Sequence, residues 1–165
     1  MTHEELRSLV NRSLFASLGY TDAQGRPNIR RVFCVWHRGL WKHLISTNTG
    51  SAHVKSLMQN GSACLYFSDD ASFEGLCLYG DITVHFEPEY KKLLWNDGDE
   101  KYYPGGIGDP DYCVLEFTAK SGRFYRYDGK GGLSETELAD TGAGTQFQNG
   151  YAAEMQAKQA SGRKL

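Results

Sequence analysis

Phe15-Ala16-Ser17-Leu18-Gly19-Tyr20-Thr21 reads as a strand, and Asp22-Ala23-Gln24-Gly25 as a turn closed by glycine. Arg26-Pro27 then opens a long second strand over residues 28–37, Asn28-Ile29-Arg30-Arg31-Val32-Phe33-Cys34-Val35-Trp36-His37. Proline is tolerated at the first position of a strand, where its missing N–H removes no ladder bond. Arg38-Gly39 turns the chain into residues 40–46, which pair back as a hairpin. Downstream, residues 62–68 and 74–86 read as two strands joined at Asp69-Asp70, and residues 112–118 and 122–128 as a last hairpin. Six or seven strands linked mainly by hairpins, with no strand–helix–strand alternation, disfavour a doubly wound sheet. So many strands in so short a chain favour a closed or nearly closed antiparallel barrel, which removes exposed edges.

Helices are short and peripheral in this reading. Thr2 and Glu5 have capping-box spacing, and Leu6, Leu9 and Val10 recur at helical intervals, so the first dozen residues form an amphipathic helix. Ser51 is an N-cap for residues 51–59, with Val54, Leu57 and Met58 as the apolar face. Residues 87–95 follow with Pro88 near the start, and residues 96–111 form a loop rich in Gly, Pro and Asp. Residues 1–130 make one domain. Residues 131–165 are expected to be a polar, Gly-rich tail, with a terminal helix possible over 148–160.

Composition narrows the function. The chain has 165 residues, 40% hydrophobic and 23% charged, which excludes disorder and coiled coil. No apolar run is long enough for a membrane helix, and Met1-Thr2-His3-Glu4-Glu5 is no secretion signal. A cytoplasmic protein is expected. Net charge is −2, yet residues 1–60 carry eight Lys and Arg against three Asp and Glu. Residues 61–120 reverse this, with four against twelve. The basic first third favours an anionic partner there, while the overall balance argues against nucleic acid. Cys34, Cys64, Cys77 and Cys113 sit in apolar surroundings and form no CxxC pair. They read as buried, reduced thiols, and no zinc spacing is present.

One feature carries chemistry. Thr47-Asn48-Thr49-Gly50-Ser51 feeds a helix N-terminus, where free N–H groups and the positive dipole end attract an anion. Arg30 or Arg31 can reach the same place from the neighbouring strand. Side chains alternate along a strand, so only one of them shares the site's face. An ordinary N-capped helix flanked by surface arginines fits the same residues.

The runs Arg26-Pro27-Asn28-Ile29-Arg30-Arg31-Val32 and Leu44-Ile45-Ser46-Thr47-Asn48-Thr49-Gly50-Ser51 resemble the FMN-binding strands of the pyridoxamine 5′-phosphate oxidase-like split barrels. Tyr103-Pro104-Gly105-Gly106 and Asp109-Pro110-Asp111-Tyr112-Cys113-Val114-Leu115 resemble the general-stress-protein branch of that family. The resemblance spans about residues 5–127. It implies a mainly β, α+β fold: a six-stranded antiparallel Greek-key split barrel with short flanking helices. It also implies a homodimer with FMN in clefts between subunits. By position, Arg30 would contact the FMN phosphate or ribityl chain, and Val32 and Phe33 would offer backbone groups to the ring. Ser46 and Thr47 would lie along the ribityl and phosphate, and Ser51 would cap the helix facing that phosphate.

Two positions depart from the pattern. His53 stands where many members have a phosphate-gripping Lys, and Lys55 lies roughly 200° further round the helix. Val35 replaces the substrate-holding Lys of the vitamin-synthesising oxidases, so vitamin B6 oxidation is not expected, and the catalytic residues are unassigned. With His53 at the phosphate, FMN affinity is expected to depend on pH between about 6 and 8.

Trp95 and Tyr103, beside the irregular loop, are the aromatic candidates for stacking near a flavin. Trp36 and Trp41 read as a cross-strand pair. His37, His43, His53 and His85 are conceivable haem ligands, since some related barrels bind haem. Glu74, Asp81 and Glu116 have no spacing that marks an acid/base pair. The expected activity is an FMN-dependent oxidoreductase passing electrons from a reduced nicotinamide to a small acceptor. The alternatives are a non-catalytic flavin- or haem-binding dimer and a structural module with a vacant cleft.

Overall fold

The computed structural model describes residues 1–34, 36–142 and 147–148. Helix α1 (His3–Arg12) begins with the expected capping box: Glu5 N–H donates to Thr2 Oγ1 at 3.2 Å, and Thr2 N–H donates to Glu5 Oε2 at 2.6 Å. Its apolar face, Leu6, Leu9 and Val10, is fully buried. Strands β1 (Phe15–Thr21) and β2 (Pro27–Phe33) pair antiparallel from Phe15 opposite Phe33 to Thr21 opposite Pro27. Asp22 closes the turn by accepting from the N–H groups of Gln24 and Arg26, both at 3.0 Å, and Gly25 takes the positive φ of 76° that the turn requires.

The second strand does not run on to His37. It breaks at Cys34, whose N–H donates to the Leu14 carbonyl at 3.1 Å. Strand β3 (Trp36–Arg38) leaves β1 and pairs instead with β4 (Lys42–Asn48). A chain wrapping a barrel has to change partners somewhere, and this break is where it does so. Val35 lies outside the described residues. Trp36 stands opposite Leu44 and is buried, whereas Trp41 lies beside the Lys42 ammonium at 5.0 Å, so the two tryptophans are not a cross-strand pair.

Helix α2 (Ala52–Gln59), β5 (Ser62–Asp69), β6 (Glu74–His85) and α3 (Pro88–Leu94) fall close to the expected bounds. Residues 112–118 and 122–128 do not form a hairpin: β7 is one strand, Tyr112–Arg126, paired along β6. The small and polar Ala119-Lys120-Ser121-Gly122 that suggested a turn sits at a register shift opposite Tyr79 and Gly80. A β-carbon on Gly80 would lie 2.0 Å from the Thr118 carbonyl oxygen. Gly80→Ala should therefore destabilise the fold by about 2–3 kcal/mol, lowering the melting temperature by roughly 5–10 °C. Gly129→Ala meets open space and is the neutral control in the same calorimetric comparison.

Residues 131–142 are not a loose tail. Strand β8 (Gly129–Leu133) pairs with β7, and α4 (Glu135–Gly142) places Leu138 in the core with no exposure. Gln148, in the two-residue β9 (Phe147–Gln148), pairs with Trp36, while the rest of the helix expected over 148–160 lies outside the described residues. The sheet order is β2-β1-β5-β6-β7-β4-β3-β9, with β8 also on β7. Nine strands are present among the described residues where six or seven were expected: the split of the second strand, β8 and β9 add three, and the expected last hairpin is the single strand β7. Pairings between strands far apart in sequence, β1 with β5 and β4 with β7, are those of a mainly antiparallel split barrel.

Leu18, Leu65, Leu78 and Phe117 are fully buried in the main core. A second cluster gathers Trp36, Leu44, Leu94, Tyr103, Tyr112 and Val114 under the loop that follows α3. Among the described residues, β2 is an end strand of the sheet and pairs with β1. The split lies between β2 and β4.

Candidate functional site

A groove of about 270 Å³ occupies that split. β2 contributes Arg30 to Phe33, β4 contributes Ser46 to Asn48, and Leu94, Asn96, Asp99, Tyr102 and Tyr103 close the third side. Five of the sequence-based candidates, Arg30, Val32, Phe33, Ser46 and Thr47, thus stand together on its two strand walls.

The paired arginines part as strand alternation requires. Arg31 turns its guanidinium over the Phe15 ring, 4.0 Å from the centroid. Arg30, itself exposed, hydrogen-bonds Nδ1 of His53. Arginine can only donate, so His53 Nδ1 accepts and the ring proton sits on Nε2, which donates to Thr47 Oγ1 at 2.9 Å. His53 is 1% exposed, and burial together with the Arg30 charge pulls its pKa down to about 4. At neutral pH it is therefore an uncharged strut between β2 and β4, not a substitute for a lysine. In the free chain its titration therefore lies below the range of about 6 to 8 over which FMN affinity is expected to vary. Lys55 is exposed, two residues beyond His53 and roughly 200° further round the helix.

The loop before α2 is fastened from β7's end. Asp111 Oδ1 accepts from Gly50 N–H at 2.9 Å, its Oδ2 accepts from Asn48 Nδ2 at 2.8 Å, and its carbonyl accepts from Thr49 N–H at 2.9 Å. These bonds, the Gly50 amide first, hold the Asp111 carboxyl below the usual carboxylate range. Ser51 occupies the N-cap position but makes no side-chain cap bond. The first intrahelical bond is Lys55 N–H to the Ser51 carbonyl at 3.2 Å, so the α2 amides ahead of it are left for a ligand or water.

Tyr103 is 8% exposed, stacks on Tyr112 with ring centroids 4.4 Å apart, and lines the groove. Trp95 does not line it; the indole packs against Tyr103 at 6.4 Å and Tyr112 at 5.7 Å as support. The loop 96–111 is pinned by Asp109, which accepts from Gly105 N–H at 2.8 Å and Asp111 N–H at 2.9 Å. Buried Lys91 adds a bond to the Asp109 carbonyl at 3.3 Å.

The histidines considered for haem are engaged within the chain. His37 Nδ1 donates to the Gly39 carbonyl at 3.0 Å, and buried His43 lies between the Cys34 sulfur at 3.5 Å and the Leu40 carbonyl at 3.3 Å. His85 stacks on Tyr90, with 3.6 Å between centroids, beside Glu87 and Glu116. Glu74 pairs with Arg12 and Arg126, Asp81 with Lys120, and Glu116 with Lys42, so these carboxylates serve ion pairs. Among the described residues, no group of three or more His, Cys, Asp or Glu is placed to hold a metal ion. Nor is any helix there long and apolar enough to cross a membrane.

Residues 2–126 match the family described as Pyridoxamine 5′-phosphate oxidase. The chain belongs to the pyridoxamine 5′-phosphate oxidase family. A Clostridium acetobutylicum protein related to general stress protein 26, of the same oxidase family, superposes with a TM-score of 0.75. It is 39% identical, over 84% of this chain and 99% of its own. A haem-binding protein from Mycobacterium smegmatis shares the fold at a TM-score of 0.69 and 17% identity, over 84% of this chain and 60% of its own. A pyridoxamine 5′-phosphate oxidase-related FMN-binding protein from Nostoc punctiforme does so at 0.62 and 15%, over 78% and 86%. No curated protein matches the chain. Relative to the pattern that led to the family, sequence reasoning missed Asn48, Leu94, Asn96, Asp99 and Tyr102 as groove walls, and Asp111 as the clamp on the loop. The Gly50–Asp111 contact spans 61 residues and has no local signature.

Proposed function

We propose that this chain is an FMN-binding flavoprotein, working in the cytoplasm as a homodimer, that passes electrons from a reduced nicotinamide to a small acceptor. The observation that carries the reading is the donor set of the groove. Arg30 stands exposed at one end, with Thr47, Ser46 and the open amides of α2 nearby. Along one wall runs the outer edge of β2, an end strand of the sheet. An elongated ligand with an anionic end and a planar ring bearing polar edges fits that arrangement.

Arg30 would grip the phosphate, His53 would hold the guanidinium in place, and Thr47 with Ser46 would receive the ribityl hydroxyls. The backbone of Val32 and Phe33 would read the ring's pyrimidine edge, with Phe33 and Tyr103 as apolar cover. FMN, when bound, supplies the hydride and electron transfer; the chain supplies binding and orientation. Ligand pockets usually run from about 300 to 1,000 Å³. The groove of about 270 Å³ falls just below that range, which supports a second chain completing the enclosure.

Protein purified without added cofactor should show twin absorbance bands near about 375 and 450 nm, the flavin's own transitions. Light scattering should give a dimer, and a reduced nicotinamide should bleach the longer-wavelength band in stopped flow. A colourless protein that binds no added FMN, or a monomer that retains FMN, overturns the reading.

A further inference from the structure

The outer face of the sheet brings two thiols together, and only two of the four cysteines are the buried kind expected from the sequence: Cys34 and Cys113 are buried, Cys64 and Cys77 partly exposed. Cys64 of β5 stands opposite Tyr79 of β6, and Cys77 stands opposite Tyr66, so all four side chains share one face with the cysteines on its diagonal. On the other side of β6, Arg123 of β7 is directly opposite Cys77. Its guanidinium lies 6.0 Å from the Tyr79 ring centre. Opposite Cys64, β1 supplies Gly19, where a β-carbon would come within 2.7 Å of the Cys64 sulfur. The glycine leaves room for that sulfur.

The pair is chemically unequal. The Cys64 thiol on the same face, then the Tyr79 hydroxyl and the Arg123 charge, draw the Cys77 thiol below its ordinary value, against the opposing effect of burial. Cys64 is pushed upward by the same sulfur contact and by burial. Tyr66, hydrogen-bonded to Tyr125, and Asp70 complete the titratable surroundings. A thiolate beside a protonated thiol, both reachable from solvent, is the arrangement of an attacking and a resolving cysteine.

We propose that Cys77 and Cys64 form a two-thiol site that reduces hydroperoxides, on β5 and β6 and separated by β1 and β7 from the two strands, β2 and β4, that wall the groove. The Cys77 thiolate attacks a peroxide oxygen, the O–O bond breaks, and the departing alkoxide or hydroxide takes a proton from water. Cys77 is left as a sulfenic acid. The Cys64 sulfur, losing its proton, attacks the Cys77 sulfur; the S–O bond breaks and water leaves. Two thiols are oxidised to one disulfide while the peroxide is reduced to an alcohol, or to water, plus one water. Diagonal neighbours lie about 7–8 Å apart at Cα, at the limit of disulfide reach, so the bridge shears β5 against β6 and is readily reduced again by a dithiol.

The test uses the full chain and hydrogen peroxide. Wild type should lose about 2 Da and two of its four thiols, both restored by dithiothreitol. Cys64→Ser should instead trap a dimedone adduct on Cys77, and Cys77→Ser should give neither product. Arg123→Gln keeps both thiols. Its iodoacetamide labelling of Cys77 at pH 6.5 should fall about tenfold as the midpoint moves toward the ordinary thiol value of about 8.5. Gains of 16 or 32 Da without the 2 Da loss, adducts spread over all four cysteines, or a wild-type Cys77 midpoint near about 8.5 overturn the proposal.

Discussion

Replacing Arg30 by alanine should weaken FMN binding about ten- to a hundredfold, which corresponds to the roughly 1.5–3 kcal/mol of a charge-assisted hydrogen bond. Arg30 is an exposed cation at the groove beside Arg31, and its partner in the free protein, His53, is neutral. Nothing on the His53 side shares the load. Arg31→Ala is the matched control: its guanidinium is spent on the Phe15 ring, so FMN affinity should stay within about threefold of wild type, while the surface loses a contact of roughly 0.5–1 kcal/mol. Fluorescence titration of both variants with FMN separates them. Equal loss in the two, or none in Arg30→Ala, would place the phosphate elsewhere. Because His53 begins to titrate only near 4 in the free chain, wild-type affinity should be flat from about pH 7 to 8. If a bound phosphate raises that value, affinity rises only as pH falls through the complex's pKa toward the free one.

The same histidine, with His43, should make the fold acid-labile. His43 is fully buried among Cys34, Phe67 and Phe117, and burial, reinforced by neighbouring His37, draws its pKa down to about 3. His53 stands at about 4. In the unfolded chain both return to about 6.5 and take up protons there first. Stability from the two neutral rings is therefore complete above about pH 6.5 and is lost progressively as pH falls toward the folded values. By pH 4 the loss is on the order of 5 kcal/mol, comparable to the whole stability of many domains. Urea midpoints measured between pH 7 and 4.5 should drop steeply, and His53→Gln should remove about half of the slope. Midpoints unchanged over that interval would mean that the rings are not held neutral.

Much of the fold could be read in advance wherever local chemistry decides it. Thr2 with Glu5 fixes the start of α1, and the Asp22–Gly25 turn sets the first hairpin, because those bonds join residues a few positions apart. The errors fall where a distant partner decides. Ala119 to Gly122 has turn-like residues, yet β6 alongside holds it extended, and Gly80 provides the close approach that allows the register to shift. Gly129 to Gly132 looks like linker, but β7 pairs with it, and Leu133 and Leu138 are buried there. For the site, residue types and order suggested the walls. The state of His53 could not be read, because its charge depends on burial and on Arg30, 23 residues away in the chain.

The position of β2 at the end of the sheet has a consequence for how the protein fares in a cell. A strand lacking a neighbour on one side can recruit a strand from any other chain. Whatever lies along that edge stabilises the folded state by RT ln(1 + [L]/Kd), so protection grows with the concentration of the occupant. With FMN in that place, the amount of surviving protein would follow flavin supply: abundant flavin caps the edge, and scarcity leaves chains open to aggregation and proteolysis. The gap in the barrel would then set the lifetime of the molecule as well as hold its ligand.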